Sequence, residues 1–294
     1  MKAGYVALIG RPNMGKSTLL NRLVGQKLSI VSRRPQTTRH QILGIKTTAQ
    51  AQIAYVDTPG IHQHRVSRAL NRYLNKAASS ALLGVDVAVW LIDGRGVRDD
   101  DQLIWDKLAQ AAVPTVLAIN KVDLLADKKA LLPVIDQASR SYPLTAIVPV
   151  SALEGTNLDR LEQVIIEHLP ESPLIFPEDQ LTDKPMRFFA AEIVREKLFY
   201  YLGDEVPHQL TVEIEAFKEE KGLARIYAVI WVERPGQKKI VIGKHGELLK
   251  RAGQRARLEL EEFLGLRVYL NLWVKVKPGW SDDERALKQL GYVA

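Results

Sequence analysis

The 294-residue chain contains no cysteine. Disulfide staples, thiolate metal ligands and cysteine nucleophiles are therefore excluded, and the composition fits a reducing cytosol. Long apolar runs are missing too: no stretch approaches the ~20 residues that a membrane-spanning helix needs. The opening MKAGYVALIG is cut off by Arg11-Pro12-Asn13 and reads as a first strand rather than a signal peptide. No internal repeat or low-complexity segment occurs. The charge excess is also diffuse. Of the net +7, +6 falls in residues 1–174 and +1 beyond, so bulk charge does not locate an anionic partner and local clustering must. With 46% apolar and 26% charged residues, the composition is ordinary for a soluble globular protein, and the length suffices for two domains with real cores.

The first half alternates short apolar runs with helical patterns. YVALI (5–9), IAYVD (53–57), VDVAVWLID (85–93), TVLAIN (115–120) and AIVPVS (146–151) read as strands. Most are apolar throughout, as in a parallel sheet buried on both faces. QILGIKT (41–47) reads as an edge strand. The expected fold is α/β and doubly wound over residues 1–170. Pro170, Pro173 and Pro177 then mark an extended linker over 171–184. Beyond it, 185–294 reads as a smaller α+β domain: a helix near 186–202, strands at 210–217 and 223–233, a turn at RPGQ, a mostly helical stretch, a strand at 267–276 and a short final helix. In the last strand Val268, Leu270, Leu272, Val274 and Val276 share one face.

The chemistry begins at GRPNMGKST, between the first strand and a helix. Glycines at 10 and 15 let backbone N–H groups curl around an anion, and the helix N-terminus adds positive potential. Gly10, Arg11, Pro12, Asn13, Met14, Gly15, Lys16, Ser17 and Thr18 thus form a phosphate loop, with Lys16 on the terminal phosphates and the Ser17 hydroxyl on Mg²⁺. A mere tight turn explains the glycines but not Lys16-Ser17. At DTPG, Asp57 is placed to hold Mg²⁺ and the Gly60 N–H to face the γ-phosphate. At NKVD, the Asp123 carboxylate can accept from N1–H and the 2-amino group of guanine, donors that adenine lacks. Asn120 ties that loop to the phosphate loop, and the Lys121 stem covers the base. At SALEG, Ser151, Ala152 and Leu153 follow the last strand, with the Ala152 N–H toward guanine O6. Four motifs in this order, each at the C-terminal end of a strand, specify a GTP/GDP site.

SRRPQTTRH (32–40) reads as a loop closing over the nucleotide, with Arg33, Arg34 and Arg39 as solvated charge and Thr37 and Thr38 as candidate Mg²⁺ ligands. After DTPG stands Ile61, which cannot orient water as a glutamine would, so slow intrinsic hydrolysis is expected. His62 and His64 are too few for a metal site and read as exposed.

In the second domain, Gly243-Lys244-His245-Gly246 follows the apolar IVI and precedes a helix. That is the context of a KH-domain GXXG loop, which packs against a nucleic-acid backbone. Basic residues crowd 234–257, opposed only by Glu247. Ile242, Gly243, Lys244, His245, Gly246, Lys250, Arg251 and Arg255 are the expected RNA-binding set. A solvated basic helix, or a domain that docks a protein instead of RNA, is the competing reading. A metabolic P-loop kinase is disfavoured by NKVD.

With GRPNMGKSTLLN, PQTTRH, DTPG, NKVD, SALEG, VIGKHG and the terminal LWVKVKPGWSDDERALKQLGYV in place, the chain resembles the Era family of bacterial GTPases over essentially its full length. The resemblance implies a P-loop GTPase domain followed by a type II KH domain, binding of the 3′ end of 16S ribosomal RNA, and a role in maturation of the small ribosomal subunit. It also implies a monomeric cytoplasmic protein associated peripherally with the inner membrane. It favours Thr38 over Thr37 as the Mg²⁺ ligand, which makes Lys16, Thr38 and Gly60 the expected catalytic residues. It offers Asn13 as a K⁺ ligand, against the simpler reading that Asn13 only stabilises the loop.

Overall fold

The computed structural model describes residues 1–32, 34, 36–61, 69–203 and 206–292. The first half builds a six-stranded sheet from β1 (Lys2–Gly10), β2 (Ile42–Thr47), β3 (Ala51–Asp57), β4 (Val87–Asp93), β5 (Thr115–Asn120) and β6 (Ala146–Pro149), in the order β2-β3-β1-β4-β5-β6. All neighbours are parallel except the edge pair β2–β3. Every residue of β4 and β5 is buried, because helices cover both faces. Val6 and Leu8 pack with Leu19, Leu20 and Leu23 of α1 (Lys16–Val24) and with Leu161 and Ile165 of α5 (Leu158–His168). The alternate residues Ala7 and Ile9 pack with Ala78 of α2 (Ala69–Ser80), Ile104 and Leu108 of α3 (Asp99–Ala111), and Leu131 and Ala138 of α4 (Leu131–Ser141). Each such leucine contributes roughly 1.5–3 kcal/mol on burial. This two-sided cover stabilises strands with no polar alternation, and it leaves the C-terminal ends of β1, β3 and β5 converging on one rim.

The second half opens with α6 (Met186–Tyr201). A three-stranded sheet follows, from β7 (Leu210–Glu220), β8 (Leu223–Val232) and β9 (Arg267–Val276), ordered β7-β8-β9. β7 and β8 are antiparallel with a bulge at Ile214/Ala216. β8 and β9 are parallel, since α7 (Pro235–Ile242) and α8 (Glu247–Leu264) carry the crossover. Val268 and Val274, with the half-buried Leu270, Leu272 and Val276, face the helices. The final helix α9 (Glu284–Gln289) returns to the first half, where Trp280, Leu287 and Tyr292 pack on Leu70 and Leu74 of α2.

Two local expectations change. RPGQ is not a turn: Pro235 opens α7 at a position whose N–H would be unpaired anyway, and the Gln237 side chain accepts from the Glu233 and Arg234 N–H groups at 2.9 Å each. The proline segment is extended, yet it is held down. Glu171 bridges Lys2 and Thr182 bridges Gly44. The buried Gln52 side chain accepts from the Ile175 and Phe176 N–H groups at 2.8 and 2.9 Å.

Candidate nucleotide site and nucleic-acid interface

The phosphate loop joins Gly10 at the end of β1 to Lys16 at the start of α1. Its turn passes through Asn13 and Gly15, both at positive φ. The Lys16 ammonium is buried and donates to the Gly10 and Arg11 carbonyls at 2.8 and 2.9 Å. Burial pulls its pKa down to about 8, with Asp57 opposing. Arg11 turns away from the site, its Nε 2.8 Å from Asp101 Oδ1 at the start of α3. Met14 belongs to the apolar floor. Gly60 must lack a side chain, since a Cβ there would stand 2.6 Å from the Pro12 nitrogen. That contact draws DTPG against the phosphate loop.

Behind the loop, four side-chain oxygens meet. Ser17 Oγ donates to Asp57 Oδ2 at 2.7 Å and lies 2.7 Å from Thr38 Oγ1. Ser29 Oγ donates to the same Asp57 oxygen at 2.7 Å. Asp57 Oδ1 is buried with no hydrogen-bond partner. Burial pushes the carboxyl pKa up, while the Ser17 hydrogen bond and the Lys16 charge pull it down. A buried carboxylate oxygen in want of a cation, beside two hydroxyls, suits a hard ion such as Mg²⁺. Thr37 is engaged elsewhere, with its Oγ1 2.7 Å from the Arg34 carbonyl and 2.6 Å from Ser32 Oγ.

The NKVD and SALEG motifs close the far side. Asn120 Nδ2 donates to the Met14 carbonyl at 2.8 Å, and Lys121 Nζ to the Asn13 carbonyl at 2.6 Å. Ser151 Oγ donates to Asp123 Oδ1 at 2.5 Å and so aims that carboxylate. The Ala152 N–H, expected to face guanine O6, here donates to Asn120 Oδ1 at 2.9 Å. The cavity thus framed measures about 410 Å³ and is lined by Asn13, Lys16, Thr18, Thr38, Gly60, Asp123, Ala152 and Leu153, among others.

Sequence reading missed how the loop over this cavity is held. Arg39 is not solvated: it is 0% exposed, and it donates to the Pro207 and Leu210 carbonyls at 2.9 and 2.7 Å. Arg34 reaches the Leu202 and Gly203 carbonyls. From α6, buried Arg195 donates to the Thr37 carbonyl at 2.6 Å while paired with Glu192. Glu196 accepts from the Val31 N–H at 2.9 Å. The residues flanking Thr38 are therefore tied to the second half of the chain. Charge alone gives no signal for this, because the acceptors are mostly backbone carbonyls far away in sequence. Arg33, His62 and His64 lie outside the described residues.

In the second half, Gly243 ends α7 at φ 77° and Gly246 opens α8 at φ 78°. A Cβ on Gly243 would sit 2.7 Å from Leu248 Cβ, so this position requires glycine twice over. Ile242 packs against the core, while Lys244 and His245 project into solvent. Beside them runs an open groove of about 610 Å³, lined by Gly246, Leu249, Lys250, Gly253, Gln254 and Arg257 of α8 and by Leu270 and Leu272 of β9. Two expected members stand apart. Arg255 points to α6, its guanidinium 5.2 and 5.6 Å from the Tyr200 and Tyr201 ring centroids. Arg251 is 3.9 Å from Glu247 on the exposed flank. Helical spacing is the reason: both lie about a quarter turn or more from the Lys250–Gln254–Arg257 stripe. That same spacing, applied to the sequence, would have picked Arg257.

Comparison with known proteins fits both halves. Residues 5–121 match a family described as 50S ribosome-binding GTPase, and residues 205–281 match the KH domain. GTPase Era of Ectopseudomonas mendocina is 55% identical over 292 residues, covering 99% of this chain and 97% of that one. GTPase Era of Pseudomonas aeruginosa is 53% identical over 99% of this chain and 95% of that protein. Among solved structures, a substituted Era of Aquifex aeolicus bound to GDP·AlF4− is 43% identical with a TM-score of 0.97, covering 100% of both chains. A structure of Era in complex with MgGDPNP and nucleotides 1506–1542 of 16S ribosomal RNA is 44% identical, again with a TM-score of 0.97 and 100% coverage of both chains. On identity, coverage and fold together, this chain belongs to the Era family of GTPases.

Proposed function

We propose that this GTPase is a nucleotide-controlled RNA-binding protein that engages the 3′ region of 16S ribosomal RNA and serves maturation of the small ribosomal subunit. The observation that carries the reading is the union, in one chain, of a guanine-nucleotide cavity and a basic GXXG groove. It is supported by full-length likeness to an Era that was solved with both MgGDPNP and that RNA. Lys16 balances the terminal phosphates, the Gly60 N–H faces the γ-phosphate, and Asp123 with Ser151 behind it selects guanine. Ser17, Thr38 and Asp57 would hold Mg²⁺, which when bound neutralises charge on the phosphates. Ile61 is buried in the core and offers no group to orient water, so intrinsic turnover is slow. Asn13, at positive φ on the cavity wall, is the proposed K⁺ ligand. Ile242, Gly243, Lys244, His245, Gly246 and Lys250, joined by Arg257, form the RNA clamp.

Among the described residues, no helix is long and apolar enough to cross a membrane. Cytoplasmic residence as a monomer, with peripheral contact at the inner membrane, completes the proposal; light scattering and vesicle flotation test those two points. The functional core is tested by crosslinking the full chain to total cellular RNA with GTP or GDP bound. Enrichment of the 16S 3′ end is expected. Recovery of no RNA, with proteins recovered instead, would replace the RNA reading by protein docking.

A further inference from the structure

The outer face of the second sheet carries aromatic and basic groups that the groove does not use. Alternation along β9 sends Val268 and Val274 into the core. It turns Arg267, Tyr269, Trp273 and Lys275 to the opposite face. Tyr269 and Trp273 are 44% and 58% exposed. Four residues apart on one strand, their rings stand ~13 Å from each other.

The setting of these rings is cationic. Arg225, the register partner of Tyr269 on β8, holds its guanidinium 5.9 Å from the Tyr269 ring centroid. Among the described residues, Arg225 and Arg267 make no ion pair. The acidic groups of this face are on β7, the strand farthest from β9: Glu213 and Glu215 are engaged, and Glu220 stands at the strand's end in line with Leu223 and Arg267. Glu215 pairs with Lys275 at 2.9 Å, and Glu213 accepts from Trp231 Nε1 at 2.7 Å. Exposed rings separated by polar and cationic side chains suit stacked bases with phosphates between them, rather than a continuous apolar partner.

β9 is also an edge strand, and its inner face already lines the groove through Leu270 and Leu272. A strand of RNA leaving the groove therefore needs only to pass over one sheet edge to reach the rings. We propose that single-stranded RNA does so, stacking bases on Tyr269 and Trp273 with Arg225 and Arg267 on its phosphates. The proposal rests on the RNA reading of the groove. It gives a surface to RNA beyond the about four nucleotides that a GXXG loop clamps. The RNA in the related Era complex, nucleotides 1506–1542, is far longer than that.

The test uses the full chain and two labelled single-stranded RNAs, of about 5 and about 15 nucleotides, that share the segment bound in the groove. Tyr269→Thr/Trp273→Thr keeps strand propensity at exposed positions, and circular dichroism checks the fold. Anisotropy should show the short RNA bound as by wild type and the long RNA bound at least about ten-fold more weakly. Tyr269→Phe/Trp273→Phe should retain binding of both. In wild type, the long RNA should quench tryptophan fluorescence beyond the short one, and Trp273→Phe should abolish the difference; this readout stands even if the Thr pair does not fold. Equal long-RNA affinity in a folded Thr variant would overturn the outer-face proposal while leaving the groove intact. If wild type binds neither RNA, the groove reading and this proposal fall together. If the Thr pair loses binding to phosphatidylglycerol vesicles but keeps the long RNA, the face belongs to lipid and the proposal is wrong.

Discussion

Replacing Arg195 by methionine should loosen the loop over the nucleotide and destabilise the chain in a pH-dependent way. Arg195 is 1% exposed. It donates to Glu192 through Nε at 2.8 Å and Nη2 at 2.5 Å, and through Nη2 to the Thr37 carbonyl at 2.6 Å. Methionine keeps the length and removes every donor. Glu192 is then a buried carboxylate without its partner, a loss worth about 3–5 kcal/mol when the acid is ionised. In the native chain burial would raise the Glu192 pKa, but the Arg195 charge and hydrogen bonds hold it below the usual value. The pair's contribution is therefore fully present above the ordinary carboxylate range and is lost as pH falls through the lowered pKa. In the variant, burial acts unopposed by Arg195 and the pKa rises, so the variant recovers stability as pH drops. The neighbouring His40 stays neutral across this window, since burial pulls its pKa to about 4. Urea midpoints should give a large deficit at pH 8. Near pH 5 it should shrink toward the cost of the stranded Thr37 carbonyl, about 1–3 kcal/mol. Glu192→Leu/Arg195→Met should regain most of the stability, because apolar side chains replace a buried pair almost neutrally. It should not regain Mg²⁺-dependent GTP affinity, because Thr37, next to Thr38, stays untied. An equal deficit at both pH values would refute the electrostatic reasoning. Restored GTP affinity in the double variant would refute the tether.

Three further outcomes follow from the nucleotide site. Asp123→Asn should shift base preference from guanine to xanthine, whose carbonyl replaces the 2-amino group and accepts from the new amide; unchanged GTP affinity would remove Asp123 from base reading. GTP binding near pH 8.5 should take up a proton, because the anionic phosphates restore the ammonium form of a Lys16 held at about 8; calorimetry in two buffers of different ionisation enthalpy measures it, and Lys16→Ala should abolish both the uptake and most hydrolysis. Exchanging K⁺ for Na⁺ at equal ionic strength should slow hydrolysis if Asn13 ligates K⁺, and equal rates would leave Asn13 a loop-stabilising role only.

The nucleotide cavity is legible because each part of the ligand forces a residue type onto the end of a strand. In the proposed site phosphate calls for Gly15 and Lys16, a hard cation for Asp57, and the guanine edge for Asp123. The helical and sheet patterns are legible for the same kind of reason: β4 and β5 have no polar alternation because both of their faces are covered. What escaped are features set by distant partners. Arg39 sits among polar residues and looks solvated, yet its acceptors are the carbonyls of Pro207 and Leu210. Arg255 looks like part of one basic cluster until helical phase turns it onto Tyr200 and Tyr201. The proline segment reads as a spacer because the side chain that fixes it, Gln52, belongs to β3.

The central claim is that one chain binds GTP at one end and RNA at a GXXG groove at the other. Lys244→Asp/His245→Asp addresses it most directly. Both side chains are exposed, and Gly243 and Gly246 set the loop's backbone, so the fold should survive. Two carboxylates would meet RNA phosphates at close range, turning attraction into repulsion. Fluorescence anisotropy with a short RNA ending like the 16S 3′ terminus, run beside a fluorescent GTP analogue in the same samples, reads both sites at once. The account predicts loss of RNA binding with GTP affinity unchanged, and wild-type RNA binding that weakens steeply with salt. A folded double variant that binds this RNA as tightly as wild type would contradict it.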